Sequence, residues 1–188
     1  MKFAFSTNAY REYSLEESIT SIKNAGYSAL EIMCDTPHAY PPLTEERVLQ
    51  IKNKLEDEKM SISNLNGFML CAIQDFHHPS WIEDSIEFRN KRIKHTKNCI
   101  MLADKLNAKT VSTQPGGPIK EIRKEKDLVL FETGIKKLIP LLEHTKVKLL
   151  IEPEPELLIE NSDQFLEFMK RKKIIITSCL RKYTSEFY

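Results

Sequence analysis

The sequence predicts an incomplete (β/α)8 barrel, with five strand–helix units and a candidate sixth strand. Short apolar runs alternate with longer amphipathic segments in units of about 30 to 40 residues, which is typical of a parallel sheet with right-handed helical crossovers. A polar residue follows each apolar run at the point where the strand would end. A barrel brings such strand ends together on one rim, and a complete barrel has eight strands and about 250 residues.

The first strand–helix unit has clear signals at both ends of its helix. Residues 3–6 form a short apolar strand, and Ser14 begins a helix because Glu17, three residues on, completes a capping box. Gly26 supplies the stop for this helix. Residues 29–33 are the second predicted strand.

The second and third units follow the same pattern. Thr44 caps the second helix, which has acidic residues in its first turn. Residues 62–65 form the third strand, and a long loop then leads to a helix over about residues 83–106. Residues 110–113 form the fourth strand, which ends in a Gly-Pro-rich turn.

The fourth and fifth units complete the predicted series. A helix over about residues 124–144 contains Pro140, which should kink or split it. The stretch KLLIEPEPELL at residues 148–158 then holds a buried strand that ends at Glu152. We expect Ser162 to cap the next helix.

Glu152 is the first candidate for a functional residue. A carboxylate at the end of a buried strand is costly unless a cation or hydrogen-bond donors accompany it. Pro153 stops the strand, and acids alternate with prolines at Glu154 and Glu156. A solvated acidic turn is the alternative that this stretch alone leaves open.

Composition narrows the classes of function. The chain has 188 residues, a net charge of +1 and a hydrophobic share of 41%, as in ordinary soluble proteins. These values favour neither nucleic-acid binding nor a membrane span, which needs about 18 apolar residues in succession. The first residues do not form a signal peptide, and the four cysteines lack a C-x-x-C pair. We therefore expect a cytoplasmic protein with free thiols.

The strand-end residues favour a barrel over an open, doubly wound sheet. A dinucleotide-binding sheet would open with G-x-G-x-x-G, and the sequence has neither this motif nor a Walker A loop. The polar residues that follow the five predicted strands are Asn8, Asp35 with His38, Asn66, Gln114 and Glu152.

Three motifs carry a family resemblance over about residues 1–169. DTPHAYP at residues 35–41, QPGGP at 114–118 and LLIEPEPELLIE at 149–160 together resemble the sugar phosphate isomerase/epimerase group. That group belongs to the xylose isomerase-like TIM barrels, which also include apurinic endonucleases. The resemblance implies that Glu152 binds a divalent metal and acts as acid and base on a sugar or sugar phosphate. We expect His38, Asn66, Gln114 and Glu154 to contact that substrate.

The amides at two strand ends favour the sugar enzyme over the nuclease. Asn66 and Gln114 stand where the endonuclease branch has metal-binding histidines, and an amide is a poor zinc ligand but a good partner for sugar hydroxyls. The oxygen ligand at Glu152 suits Mn²⁺ or Mg²⁺ better than Zn²⁺ or Co²⁺. An apurinic-site endonuclease remains the weaker alternative.

The C-terminal segment departs from the family pattern. Residues 170–188 carry six lysines and arginines and one glutamate, a net of +5, which leaves −4 for residues 1–169. We read residues 1–169 as a partial barrel and 170–188 as a basic tail. Either residues 173–177 form a sixth strand, or residues 170–188 come from an altered reading frame. The family's other metal ligands, on strands six to eight, have no counterpart. We therefore expect poor metal retention and impaired or absent activity, and the chain's status as an enzyme stays open. The alternative is a non-catalytic fragment that oligomerises through exposed sheet edges.

Overall fold

Five parallel strands form one sheet in a computed structural model that describes residues 3–68, 78–119 and 121–171. The strands are β1 (Ala4–Ser6), β2 (Ala29–Met33), β3 (Ser61–Asn66), β4 (Thr110–Thr113) and β5 (Lys148–Ile151). The helices within these ranges are α1 (Leu15–Asn24), α2 (Glu45–Asp57), α3 (Ile86–Lys105), α4 (Lys124–Lys136), α5 (Ile139–Thr145) and α6 (Ser162–Arg171). Short 3-10 segments lie at Thr7–Tyr10 and Glu121–Arg123.

The strand order confirms the partial barrel. The strands neighbour one another in chain order, β1-β2-β3-β4-β5, and every pair is parallel. A doubly wound sheet would reverse its strand order at a switch point, whereas a barrel adds each strand on the same side of the last. Residues 173–177, the candidate sixth strand, lie outside the described ranges, so the division at residue 170 stays a prediction.

Local capping signals set the helix starts, with one correction. Ser14 forms the predicted capping box, since its Oγ accepts from the Glu17 amide and its own amide donates to Glu17 at 2.8 Å. Thr44 caps α2 through the Arg47 amide. The prediction of Ser162 as a cap was wrong. Asn161 is the N-cap of α6, because its side-chain oxygen accepts hydrogen bonds from the backbone amides of residues 163 and 164 at 3.1 and 3.0 Å.

Pro140 divides the fourth predicted helix, as expected. α4 ends at Lys136 and α5 begins at Ile139, which places Pro140 in the first turn of the second helix. Proline is tolerated there because its missing N–H would have no partner within the helix. The fourth strand–helix unit therefore has two helices, so the predicted helix is split at this place and not only kinked.

The two faces of the sheet differ in polarity. The face packed against the helices belongs to the hydrophobic core, and its members include Leu30, Ile32, Leu65, Val111 and Leu149. Side chains alternate along a strand, so the residues between these belong to the opposite face. That face, which would be the interior of a barrel, carries Glu31, Asn64, Asn66, Ser112 and Leu150.

The β1 edge of the sheet exposes aromatic surface. Phe3 and Phe5 are 64% and 39% exposed, and β1 is one of the two edge strands of the described sheet. An edge strand with apolar side chains is a site for association. We expect the purified chain to elute as an oligomer on gel filtration with light scattering, and Phe3→Glu with Phe5→Glu to shift it toward the monomer. A monomer for the unsubstituted chain would contradict this.

Candidate active site

The ends of β4 and β5 bring Gln114 and Glu152 next to each other. Thr113 pairs with Ile151, and the amide of Glu152 donates to the carbonyl of Thr113 at 3.0 Å. The two following residues, Gln114 and Glu152, therefore lie side by side at the carboxyl edge of the sheet. Both are buried, with 0% and 3% of their surface exposed. Of the sequence-predicted site residues, this pair is the one that strand pairing brings together.

The loops that follow these two residues are joined by backbone hydrogen bonds. The amide of Leu158 donates to the carbonyl of Gly116 at 2.9 Å, and that of Ile119 donates to Glu156 at 3.3 Å. Gly116 has a φ of +100°, and an added Cβ would lie 3.0 Å from the Ser80 hydroxyl. This position therefore requires glycine. The two loops, joined by these hydrogen bonds, hold the backbone around Glu152 in place.

Asn66 lies at the end of β3, with both ends of its amide engaged. Its Nδ2 donates to Glu31 at 3.4 Å, and its Oδ1 accepts from the amide of Phe68 at 3.0 Å. The side chain is 8% exposed. Asn66 thus stabilises the turn after β3, and a substrate hydroxyl would have to compete with these two hydrogen bonds.

Glu31 is a site residue that sequence reasoning missed. Its carboxylate accepts from Asn64 at 2.7 Å as well as from Asn66, and Asn64 also donates to the Ser112 hydroxyl at 2.8 Å. Thr110 in turn donates to the Asn64 oxygen at 2.8 Å. This network links three strands across the polar face. The available signal was an acid at the centre of the apolar run ALEIM.

His38 lies against the first strand–helix unit. Its Nε2–H donates to the Tyr10 carbonyl at 3.1 Å, and Ser18 Oγ lies 3.4 Å from the same nitrogen. Nδ1 is buried and has no hydrogen-bond partner within the described ranges. These contacts tie the loop after β2 to the loop after β1, and they do not bring His38 to Gln114 or Glu152.

The environment of His38 predicts a loss of stability in acid. Burial lowers the pKa of His38 from its usual 6.5, although carbonyl contacts with Tyr10 and Tyr13 oppose the shift. Because the folded state favours the neutral ring, its contribution is present above the unfolded pKa of 6.5 and is lost as the pH falls from there through the lower pKa of the folded state. In urea unfolding at pH 7.5 and 5.5, we expect wild type to lose more stability than His38→Gln, by at most about 1.4 kcal/mol per pH unit. An equal loss in both proteins would contradict this.

Glu154 lies in the same turn as Glu152 and is half-buried. Its amide donates to the carbonyl of Ile159 at 3.2 Å, and its own carbonyl accepts from Leu157 at 3.2 Å. Burial raises the pKa of the Glu154 carboxyl. The chain thus places a second carboxyl group close in sequence to Glu152, and this group holds a proton more readily than an exposed glutamate does.

The described residues do not form the metal site that the resemblance implies. Within residues 3–68, 78–119 and 121–171, no three His, Cys, Asp or Glu side chains come together in a metal-binding group. At the carboxyl edge, Glu152 offers one carboxylate and Gln114 is its neighbour. An octahedral Mg²⁺ or Mn²⁺ site with one protein carboxylate is weak, because water completes the shell.

The chain belongs to the xylose isomerase-like TIM barrel family, whose model matches residues 19–173. This family was the one that the three sequence motifs suggested. A comparison with curated protein sequences gives no significant match. Among the helices in the described ranges, none has the length and apolar character needed to cross a membrane.

Solved structures confirm the fold. D-psicose 3-epimerase from Clostridium cellulolyticum H10, solved with D-tagatose, superposes with a TM-score of 0.70 at 15% identity, over 91% of this chain and 60% of its own. The 3-keto-D-glucoside 4-epimerase YcjR from E. coli gives a TM-score of 0.71 at 12% identity, over 94% and 66%. A xylose isomerase-like TIM barrel protein from Mycobacterium smegmatis, in complex with magnesium, gives 0.66 at 13% identity, over 90% and 60%. The chain thus spans about 60% of the length of the first of these proteins.

Proposed function

We propose that the protein is a sugar or sugar-phosphate isomerase or epimerase in which Glu152 transfers the proton. The observation that carries the proposal is the position of Glu152, a buried carboxylate at the carboxyl edge of β5 beside Gln114. Barrel enzymes keep their catalytic residues at this edge. The family match and the sugar epimerases among the solved neighbours support this reaction class.

The chemistry that Glu152 can supply is general acid–base catalysis. The ionised carboxylate would accept the proton from the carbon next to a sugar carbonyl and return it, either to the other face of that carbon or to its neighbour. Gln114 would donate its amide N–H to a substrate oxygen, and its carbonyl would accept from a hydroxyl. Glu154 and Asn66 remain proposed substrate contacts, and His38 would act on the substrate only indirectly, through the loops that it joins.

A divalent ion is part of the proposal, with Mn²⁺ or Mg²⁺ preferred. Glu152 would be one ligand, and the others would come from residues outside the described ranges or from a longer chain. Such an ion would polarise the substrate oxygens. We also propose that the protein is cytoplasmic, that it does not bind nucleic acid, and that the 188-residue chain has impaired turnover.

Deuterium exchange tests the reaction class before the sugar itself is identified. The purified chain is incubated in D₂O with a panel of free and phosphorylated ketoses and aldoses, with and without millimolar Mn²⁺. We expect deuterium next to the carbonyl of one sugar by NMR, at a rate far below the 1 to 1,000 per second typical of enzymes. No incorporation above buffer for any sugar, with Mn²⁺ present, would contradict the proposed activity of this chain and favour the non-catalytic alternative.

A further inference from the structure

Helix α3 carries polar side chains on a side where apolar ones are usual. Arg92, His95 and Cys99 follow one another at helical spacing and are 0%, 4% and 0% exposed. A helix that packs on a sheet normally buries an apolar stripe. These three residues lie close enough to Cys34 and Asp35, which follow β2, for their charges and thiols to interact. The cluster lies outside the Gln114–Glu152 pair, and the proposed reaction does not use it.

The contacts within this cluster bring two thiols together. Cys99 Sγ lies 3.4 Å from His95 Nε2, and the Cys34 thiol is near enough to Cys99 that each shifts the pKa of the other. Gly67 makes this approach possible, since a Cβ there would lie only 3.2 Å from Cys99 Sγ. The backbone of Cys34 adjoins the same place, because its amide donates to the carbonyl of Asn66 at 2.8 Å. Two cysteines that are 65 positions apart in sequence thus both lie beside residues 66 and 67, Cys34 after the end of β2 and Cys99 on α3.

Charge balance favours a thiolate on Cys99. Arg92 is a fully buried cation, and Asp35 is the carboxylate whose charge acts on it. Burial raises the pKa of Cys99, but the neighbouring Cys34 thiol, His95 and Arg92 together outweigh burial and lower it. The neighbouring Cys99 thiol, together with burial, raises the pKa of Cys34. One member is therefore poised as the nucleophile and the other as the proton-bearing partner.

A cavity leads to the side of this cluster. It has a volume of about 230 Å³ and lies between α3 and the loop after β2, and its walls include Tyr40, Pro79, Lys94 and His95. The Tyr40 ring stacks on His95 with centroids 5.5 Å apart. His95 thus separates the cavity from Cys99, and a movement of the Tyr40–His95 stack would admit a molecule as small as hydrogen peroxide.

We propose that Cys34 and Cys99 are a reversible thiol pair that responds to peroxide. The Cys99 thiolate attacks one peroxide oxygen, the O–O bond breaks, and Cys99 becomes a sulfenic acid while hydroxide leaves. The Cys34 sulfur then attacks the Cys99 sulfur, the S–O bond breaks, and water leaves as the Cys34–Cys99 disulfide forms. A small thiol reverses the reaction by two exchange steps. The proposal does not depend on the isomerase reaction.

Disulfide mapping of the unsubstituted 188-residue chain tests the proposal. The reduced folded protein receives stoichiometric hydrogen peroxide, free thiols are alkylated under denaturing conditions, and peptides are analysed by mass spectrometry. We expect the Cys34–Cys99 cross-link as the main product, reversed by dithiothreitol. The same treatment in urea should give mixed pairings with Cys71 and Cys179. Full alkylation of Cys34 and Cys99 after peroxide treatment, or equally mixed pairings in the folded protein, would overturn the proposal.

Variants separate the attacking thiol from its partner. In Cys34→Ser we expect dimedone to trap a sulfenic acid on Cys99, whereas Cys99→Ser should leave Cys34 unmodified. His95→Phe keeps an aromatic ring against Tyr40 and should slow oxidation about tenfold, while the matched exposed change His144→Phe should not. Labelling of Cys34 in place of Cys99, or an unchanged rate in His95→Phe, would contradict the assigned roles.

Discussion

Glu152→Gln is expected to reduce deuterium exchange into the sugar to the level of the buffer. Gln keeps the size of the side chain and its place at the end of β5, but a neutral amide cannot accept the proton. The loss of a general base costs about 10² to 10⁴ in rate. NMR of the sugar after incubation in D₂O, with wild type and variant at equal concentration, measures the difference.

Glu156→Gln is the matched control for this change. Glu156 is an exposed acid in the same turn, so its replacement removes the same charge without touching the buried strand end. We expect this variant to exchange deuterium at the wild-type rate. If Glu152→Gln and Glu156→Gln retain the same activity, Glu152 does not carry the proton.

Arg92→Met should have the largest effect on folding, a loss of about 3 to 5 kcal/mol in the free energy of unfolding. The Arg92 guanidinium is fully buried and donates to the carbonyls of Pro79 at 2.9 Å, Gly67 at 3.2 Å and Phe68 at 2.9 Å. Met fills the space but leaves these carbonyls without their donor and removes a buried positive charge. Urea denaturation followed by circular dichroism measures the change.

Arg89→Met provides the comparison on the same helix. Arg89 donates to the backbone carbonyls of Glu83 and Asp84 near the exposed start of α3. Water can replace this donor, so we expect a loss of no more than about 1 kcal/mol. Equal losses for Arg89→Met and Arg92→Met would show that the burial of Arg92 adds nothing.

Local rules were sufficient to predict much of the fold. The starts of α1 and α2 depend on hydrogen bonds between residues three apart, so Ser14 and Thr44 identify them from sequence alone. Pro140 lacks a backbone N–H, so its effect on the helix could also be predicted from the sequence. The N-cap of α6 could not be predicted in this way, because Asn161 and Ser162 are adjacent and either residue type can cap a helix. The path of the chain after Glu160 decides between them.

The site was predictable only where a strand end determines position. Gln114 and Glu152 follow paired strands, so recognising β4 and β5 was enough to place both at one edge. Whether the Glu31 side chain lies on the polar face depends on which face of β2 the helices cover, and the sequence ALEIM does not indicate this. The orientation of the His38 side chain depends on its contact with Tyr10, which is 28 residues away, and no local sequence pattern predicts that contact.

The polar stripe of α3 shows a similar limit. Periodicity predicted this helix, and its apolar residues Ile93 and Ile100 are buried. Arg92 and Cys99 precede these residues by one position each and lie against the sheet as well. A charged residue at such a position is ordinarily assigned to the solvent face. Its burial follows from the carbonyls of Gly67 and Phe68, which need a donor after β3 ends.

Titration of the purified chain with Mn²⁺ in a calorimeter tests most directly whether the described residues complete a metal site. With Glu152 as the one carboxylate ligand, we expect a dissociation constant weaker than about 1 mM, corresponding to about −4 kcal/mol. Binding at low micromolar concentration that Glu152→Ala abolishes would contradict this. It would mean that residues outside the described ranges, or a second copy of the chain, supply the remaining ligands to Glu152.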